Sequence, residues 1–544
     1  MLVAEAIGRT LGAVGVDHVF GVVGSGNFHV TNGMIAAGAR FVAARHEGGA
    51  ATMADAYARM TGKVSAVSVH QGCGLTNAMT GIAEAAKSRT PLVVLAAEVE
   101  QPRSNFYVDQ AALAESVGAL PMRVTSAEDA VAQSCAAVTT ALHGRRTVVL
   151  NLPLEVQGQR GTLAGKLRLP RSAAAAIAAD SDVAALADAL QRAERPVFVA
   201  GRGSRGVGCG LALERVAERC GALLATSAVA KGLFHGNPWS LDVSGGFASP
   251  TAATLIREAD VIVGWGCSLN MWTTRHGRLV GPQATVVQVD LDAEAIGAHC
   301  DVAFGALGDV EEVARAVGPR LVERRPGYRT AEVRRRIKES VRWRDVPFTD
   351  ASTAERIDPR TLTIALDDLL PQERVVGVDS GNFMGYPSMF LSVPDEHGFC
   401  FTQAFQSVGL GLSTAIGAAL AQPHRLPVAA LGDGGALMSV AELETVSRLS
   451  LPMVVVVYND DAYGAEVHHF GPGGAPLDTV QFPPTDIAAI ARGFGFQAHT
   501  VRSAEDLLPL RHWLSSGRSQ PVLIDAKVTA DMPSWWLEEA FRGH

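Results

Sequence analysis

The sequence has no cysteine pair at metal or redox spacing. Its seven cysteines, at positions 73, 135, 209, 220, 267, 300 and 400, are scattered without a Cys-x-x-Cys. That argues against a disulfide frame and a zinc cluster, and it fits the reduced, buried thiols of a cytoplasmic protein. Long apolar runs are also missing. The longest, such as residues 453–458, are strand-length, far short of the roughly 20 residues that cross a bilayer. No basic stretch followed by an apolar one opens the chain, so no secretory signal is expected. Charge of one sign is scarce as well. A formal net charge of -8 over 544 residues leaves no electrostatic footprint for nucleic acid or an anionic membrane.

What is present is alternation. The chain is 48% apolar and rich in glycine and alanine. Short apolar runs bounded by glycine alternate with longer alanine-rich amphipathic stretches, the pattern of βα units and parallel sheets. Length alone suggests about three or four domains of roughly 150 residues. Strand-like runs in a first block are residues 17–24, 64–69, 91–97 and 147–152. Residues 157–182 change character and read as a linker. A second block carries 195–201, 222–225, 261–264 and 285–289, and the charged stretch 323–345 reads as a solvated helix joining blocks. A third carries 375–378, 427–431, 453–458 and 521–526. The expected fold class is α/β: three consecutive doubly wound parallel-sheet domains, over residues 1–165, 182–335 and 356–544.

The densest chemistry lies in the third block. Gly432-Asp433-Gly434-Gly435 closes one strand and Asn459-Asp460 closes the next. Glycines there permit a tight turn and close approach of a phosphate. Two acidic turns at one sheet edge suit a hard cation that itself holds a diphosphate. A bare Gly-Asp-Gly is also an ordinary strand–helix turn, and only the second polar turn at this distance lifts it above that. In the first block Glu47 precedes an alanine-rich helix ending Tyr57-Ala58-Arg59. Taken alone it is a helix-start acid favoured by the dipole. Gly201-Arg202-Gly203-Ser204-Arg205-Gly206 follows a strand in the manner of a dinucleotide fingerprint, yet the next strand, residues 223–226, ends without the ribose-binding acid. A structural turn is the preferred reading there. His468 and His469 are adjacent and, on a helix, point about 100° apart, so one of them faces any site. His469 is the one expected to do so. The C-terminal stretch 532–541, with Trp535 and Trp536, reads as an amphipathic tail anchored to the surface of its own domain.

These motifs, in this order, resemble the thiamine diphosphate enzymes, in particular the group of acetolactate synthase, pyruvate decarboxylase and benzoylformate decarboxylase. The resemblance spans essentially the whole chain and implies a pyrimidine-binding, a central and a diphosphate-binding domain. It implies Mg2+ bound by Asp433, Asp460 and the carbonyl of Ala462, with Asn459 as the side-chain ligand if the register is one residue off. The family usually has Asn where this chain has Asp460. It further implies cofactor contacts from Gly432, Gly434, Gly435, Asn459 and Tyr463. Val408 would be the wedge between the two cofactor rings, and the Gln406 carbonyl the acceptor for the amino group. Glu47 would share a proton with the aminopyrimidine, a role served by a raised carboxyl pKa. Substrate handling would come from His70, Ser25, Gln110, His469 and Ala465. His70 and Ser25 stand where benzoylformate decarboxylase has active-site residues, and Gln110 where acetolactate synthases have one.

The activity implied is a decarboxylase or carboligase of 2-oxo acids, acetolactate synthase-like and working through an enamine. A lyase acting on a 2-hydroxyacyl thioester or diketone, or a non-catalytic descendant of the fold, are the other readings, with a nicotinamide oxidoreductase more remote. The family's flavin-contacting stretch is not found at residues 267–272, so FAD is allowed by the resemblance but not favoured. A cytoplasmic homodimer or homotetramer is expected, with no nucleic acid or membrane partner, because the family builds its site between subunits.

Overall fold

The computed structural model describes residues 1–162, 167, 176–322 and 324–537. Most of the expected linker and the last residues of the tail fall outside them. Three parallel sheets of six strands follow one another along the chain. The first contains β1 His18–Gly21, β2 Arg40–Ala43, β3 Ser65–Val69, β4 Leu92–Glu98, β5 Leu120–Arg123 and β6 Thr147–Pro153. The second contains β7 Pro196–Ala200, β8 Leu223–Thr226, β9 Ser240–Val243, β10 Val261–Trp265, β11 Thr285–Asp290 and β12 Phe304–Leu307. The third contains β13 Arg374–Val378, β14 Phe399–Phe401, β15 Leu426–Gly432, β16 Val454–Asn459, β17 Gln497–Val501 and β18 Val522–Lys527.

The first and third sheets share one order, β2-β1-β3-β4-β6-β5 and β14-β13-β15-β16-β18-β17. The middle sheet runs β12-β11-β10-β7-β8-β9, the order of a dinucleotide-binding fold. In each sheet the order reverses direction beside its first strand, and the loops leaving the carboxyl ends of the strands at that point diverge to leave a crevice. Those reversals lie between β1 and β3, between β7 and β10, and between β13 and β15. Register then fixes the chemistry of the third sheet. Gly432 pairs with Tyr458, so the turns that follow them emerge side by side.

Twelve of these strands coincide with the apolar runs of the sequence. The other six, β2, β5, β9, β12, β14 and β17, are the two edges of each sheet. A central strand is covered on both faces and reads as a continuous apolar run. An edge strand is half wet: β2 is Arg-Phe-Val-Ala with only Val42 buried, and β5 has no buried residue.

The first and third blocks pack through two parallel helices, Glu47–Thr61 and Gly411–Ala421. Glycine allows the approach: a Cβ on Gly417 would stand 2.2 Å from the Met53 carbonyl oxygen. The same cluster of buried side chains continues through both sheets, from Val67 and Val94 to Val455 and Leu523. A buried polar knot ties the blocks further. Arg59 pairs with Asp55 and Glu84 at 2.6 and 2.7 Å and donates to the Phe401 carbonyl. Glu84 in turn accepts from the backbone N–H groups of Ala404 and Phe405. The charged stretch near residue 330 forms the Ala331–Ser340 helix, with Glu323 outside the described residues. Val333 and Ile337, four apart and thus on one face, join the core of the middle block. Trp536 in the tail is buried and donates to the Asn382 carbonyl, so this part of the tail is anchored on the third block.

Candidate active site

Three neighbouring strands of the third sheet, β13, β15 and β16, end in acids. Asp433 is buried and Asp460 half-buried. Burial, followed by the charge of Asp433, pushes the Asp460 carboxyl up to about 8; burial, with Asp461 nearby, pushes Asp433 up to about 6. Asp460 accepts from the Ala462 N–H. Ala462 itself bridges Gln481 through bonds of its neighbours, Tyr463 N–H to the Val480 oxygen and Phe482 N–H to the Asp461 oxygen. That pairing leaves the Ala462 carbonyl out. Asn459 is turned away: its side chain donates to Asp525 at 2.8 Å and accepts from the Asp461 N–H. Of the two candidate ligands only Asp460 faces Asp433. Two carboxylates and one carbonyl form a hard oxygen set suited to Mg2+, and the mutual repulsion of the two acids is what a divalent cation relieves. Among the described residues no cluster of three or more His, Cys, Asp or Glu residues competes with it.

The glycines around this pair are tightly packed. A Cβ on Gly434 would stand 2.6 Å from the Tyr463 ring, one on Gly464 2.4 Å from Asp460 Oδ2, and one on Gly435 2.0 Å from Asp379 Oδ2. Asp379 was not foreseen from the sequence. It follows β13, is fully buried, and accepts from the N–H groups of Ser380, Gly409 and Leu410. Burial raises its pKa to about 6 against the pull of those donors. It therefore fastens the loop carrying Gln406 and Val408 to the end of β13, with its carboxyl packed against Gly435. Val408 lies over that turn, its Cγ1 3.3 Å from a Cβ position on Gly435. Gln406 holds a left-handed backbone at φ 61°, unusual for a residue with a side chain and typical of functional loops. Asn382 is a second unforeseen neighbour, beside Gly464. The signal for Asp379 was an acid and a glycine directly after a strand, Asp379-Ser380-Gly381, the same kind of signal that drew attention to Asp433.

A second group gathers at the carboxyl ends of β1, β2 and β3 in the first sheet. Glu47 is the first residue of the Glu47–Thr61 helix and accepts from Asn77 Nδ2 at 3.0 Å. Gly74 lies between it and His70, a Cβ there standing 3.5 Å from Glu47 Oε1 and 3.2 Å from the His70 Cβ. His70 Nδ1 accepts from the Gly26 N–H at 3.3 Å, which assigns the proton of the neutral ring to Nε2. Ser25, exposed, lies in the same glycine loop. Gln110 is different. It is 2% exposed, accepts from the Gly72 N–H and donates to Asn151. Both ends of its amide are engaged beneath the His70–Gly72 turn.

Tyr463 and Ala465 flank the acidic pair at the start of the Gly464–Phe470 helix. At its end, His469 packs against the Phe470 ring. His468 turns toward Asp531, with its Nε2 buried and unpartnered and its pKa lowered by burial. Among the described residues no hydrogen bond from Glu47 reaches the Asp433–Asp460 group.

The reversal of the middle sheet holds a cavity of about 1490 Å³ lined by Gly201, Gly203, Gly266 and Asp290 on one side and by Gln403 and Gln406 on the other. Gln403 Oε1 and Ser227 Oγ are buried without partners at its wall. The glycine fingerprint borders this cavity, and Asp290 closes β11 beside it.

Comparison with known proteins decides the family. Residues 1–118 match the N-terminal TPP binding domain of thiamine pyrophosphate enzymes, residues 183–317 the central domain and residues 379–526 the C-terminal TPP binding domain. The chain belongs to the thiamine pyrophosphate enzymes. It is 24% identical to a probable acetolactate synthase large subunit of Methanocaldococcus jannaschii, over 96% of this chain and 91% of that one. It is 27% identical to a sulfoacetaldehyde acetyltransferase of Alcaligenes xylosoxydans xylosoxydans, over 86% and 82%. It is also 27% identical to a probable 2-ketoarginine decarboxylase of Pseudomonas aeruginosa, over 95% and 92%. The three domains of this thiamine pyrophosphate enzyme are the three sheets described above.

Proposed function

We propose that the protein is a Mg2+-dependent 2-oxo acid decarboxylase or carboligase of the acetolactate synthase type. The observation that carries this is the Asp433–Asp460 pair at a glycine turn, with Asp379 packed on that turn and bonded to the Val408 loop. Asp433, Asp460 and the Ala462 carbonyl would hold the cation, and the N–H groups of the Gly432–Gly435 turn the diphosphate. Val408 and the Gln406 carbonyl would orient the rings. Bound there, thiamine diphosphate supplies the electron sink that makes loss of carbon dioxide feasible. Glu47 holds or passes the proton at the pyrimidine ring. His70 presents Nε2–H to the substrate side, with Ser25 beside it, and His469 stands at the far end of the pocket helix.

Glu47 stands at the reversal of the first sheet and the acidic pair at that of the third. We therefore infer a homodimer or homotetramer in which one copy's first block meets another's third. Exposed apolar side chains beside the third-block half-site, Val408, Met438 and Phe470, support that reading. No helix among the described residues is long and apolar enough to cross a membrane, and a cytoplasmic location is proposed on the cysteine usage. The middle-sheet cavity has room for a nucleotide. No flavin is assigned to it, and the visible spectrum of the purified protein reads this directly.

The test is product analysis with thiamine diphosphate and Mg2+ over a panel of 2-oxo acids, with and without sulfoacetaldehyde or a second 2-oxo acid as acceptor. Carbon dioxide release that Glu47→Gln abolishes is the expected result. Cleavage of a thioester or diketone without carbon dioxide would overturn the decarboxylase reading.

A further inference from the structure

The short segment that delivers Glu47 is gripped from the third block. Residues 43–46 join the end of β2 to the helix that Glu47 opens. Glu442 begins the Glu442–Arg448 helix and is 3% exposed. Its Oε1 accepts from the backbone N–H of Arg45 at 2.9 Å and of His46 at 3.1 Å. Its Oε2 accepts from Thr445 Oγ at 2.6 Å. The same helix holds the segment at two further points. Glu444 pairs with the Arg45 side chain, and Arg448 donates to the Ala43 carbonyl. Gly49, two residues beyond Glu47, completes the fit. A Cβ there would stand 2.6 Å from Glu442 Oε1 and 3.1 Å from Ser413 Oγ.

A buried carboxylate is expensive, and an apolar side chain of similar volume would fill the space at lower cost. What the carboxylate adds is direction: one oxygen fixes two consecutive amides immediately before Glu47. The Asp433–Met438 helix runs through residues 439–441 into the helix of Glu442. One short helix–turn–helix segment thus carries Asp433 at one end and the anchor for Glu47 at the other.

We propose that Glu442 is a positioning residue for Glu47, acting through the backbone of Arg45 and His46. The proposal rests on the reading of Glu47 as the group that activates the cofactor. It is tested on the holoenzyme by exchange of the C2 proton of bound thiamine diphosphate for deuterium, read by acid quench and NMR. Cofactor affinity is measured beside it by calorimetry. Glu442→Ala should slow exchange on the order of 10- to 100-fold, with cofactor affinity changed less than about threefold. Glu442→Gln keeps an acceptor oxygen and should recover exchange to within about fivefold of the parent. Gly49→Ala leaves Glu442 in place but drives a methyl into it, and should slow exchange even if Glu442→Ala fails to fold.

Rapid exchange in Glu47→Gln would overturn the role of Glu47 itself. Slow exchange in Glu47→Gln with parental rates in Glu442→Ala and Gly49→Ala would overturn only the role of Glu442. So would a loss of cofactor affinity as large as the loss of exchange, or a Glu442→Gln variant no better than Glu442→Ala.

Discussion

At the scale of single residues the chain's own feature is Asp460. Folding raises this carboxyl to about 8 and Asp433 to about 6, from an ordinary value near 3.8. A carboxyl with a raised folded pKa binds its proton more tightly folded than unfolded. These two sites therefore lower the stability of the cofactor-free protein as pH climbs from about 4 through about 8. Mg2+ requires ionised ligands, so its affinity rises through the upper part of the same window. Asp460→Asn removes one of the two acids. The variant should be more stable than the parent at pH 8 without cofactor, and its Mg2+ affinity should lose most of its dependence between pH 6 and 8. Metal-free thermal unfolding and Mg2+ titrations at several pH values check both. An unchanged pH slope would remove Asp460 from the metal site. The sequence left Asn459 and Asp460 as alternatives because adjacent residues at a strand end differ only in which way they turn. The partner that turns Asn459 inward, Asp525, lies 66 positions away.

At the scale of elements, legibility follows burial. The twelve central strands announce themselves because both faces are covered. The six edges do not, since β2 and β17 mix arginine, glutamine and histidine with their apolar residues. Glu47 and the Gly432–Gly435 turn were readable because their signals are local. Asp379, Glu84 and Glu442 were not, because each acts on backbone amides tens to hundreds of residues distant. The Gly432–Gly435 turn offers a sharp test. In Gly435→Ala the new methyl meets Asp379 Oδ2, an overpacking cost of about 1–3 kcal/mol. Thiamine diphosphate binding should weaken by about tenfold or more while the fold survives, as calorimetry and circular dichroism would show. The Arg59 knot tests the loop before Gln406. Arg59→Ala leaves Asp55 and Glu84 buried without their cation, a loss of about 3–5 kcal/mol. Denaturant unfolding should show that loss.

At the scale of the whole molecule the first and third sheets repeat one strand order, and each places its half of the chemistry at its own reversal. On the proposed function the first would contribute proton transfer through Glu47 and His70, and the third a cation and diphosphate cradle. Their helices pack together inside one chain, and the Glu442 anchor ties Glu47 to the third block of that same chain. On the proposed arrangement between copies, a single chain would bind the diphosphate at its third block but present no carboxyl to the pyrimidine. The two functions should separate on dilution. As copies dissociate, decarboxylation should fall with protein concentration, and mixing inactive Glu47→Gln with inactive Asp433→Ala should restore activity by pairing an intact first block with an intact third. Assays across a dilution series beside sedimentation velocity check the first, and activity of the mixed variants the second. Full activity in a sedimenting monomer would show that one chain closes the site alone.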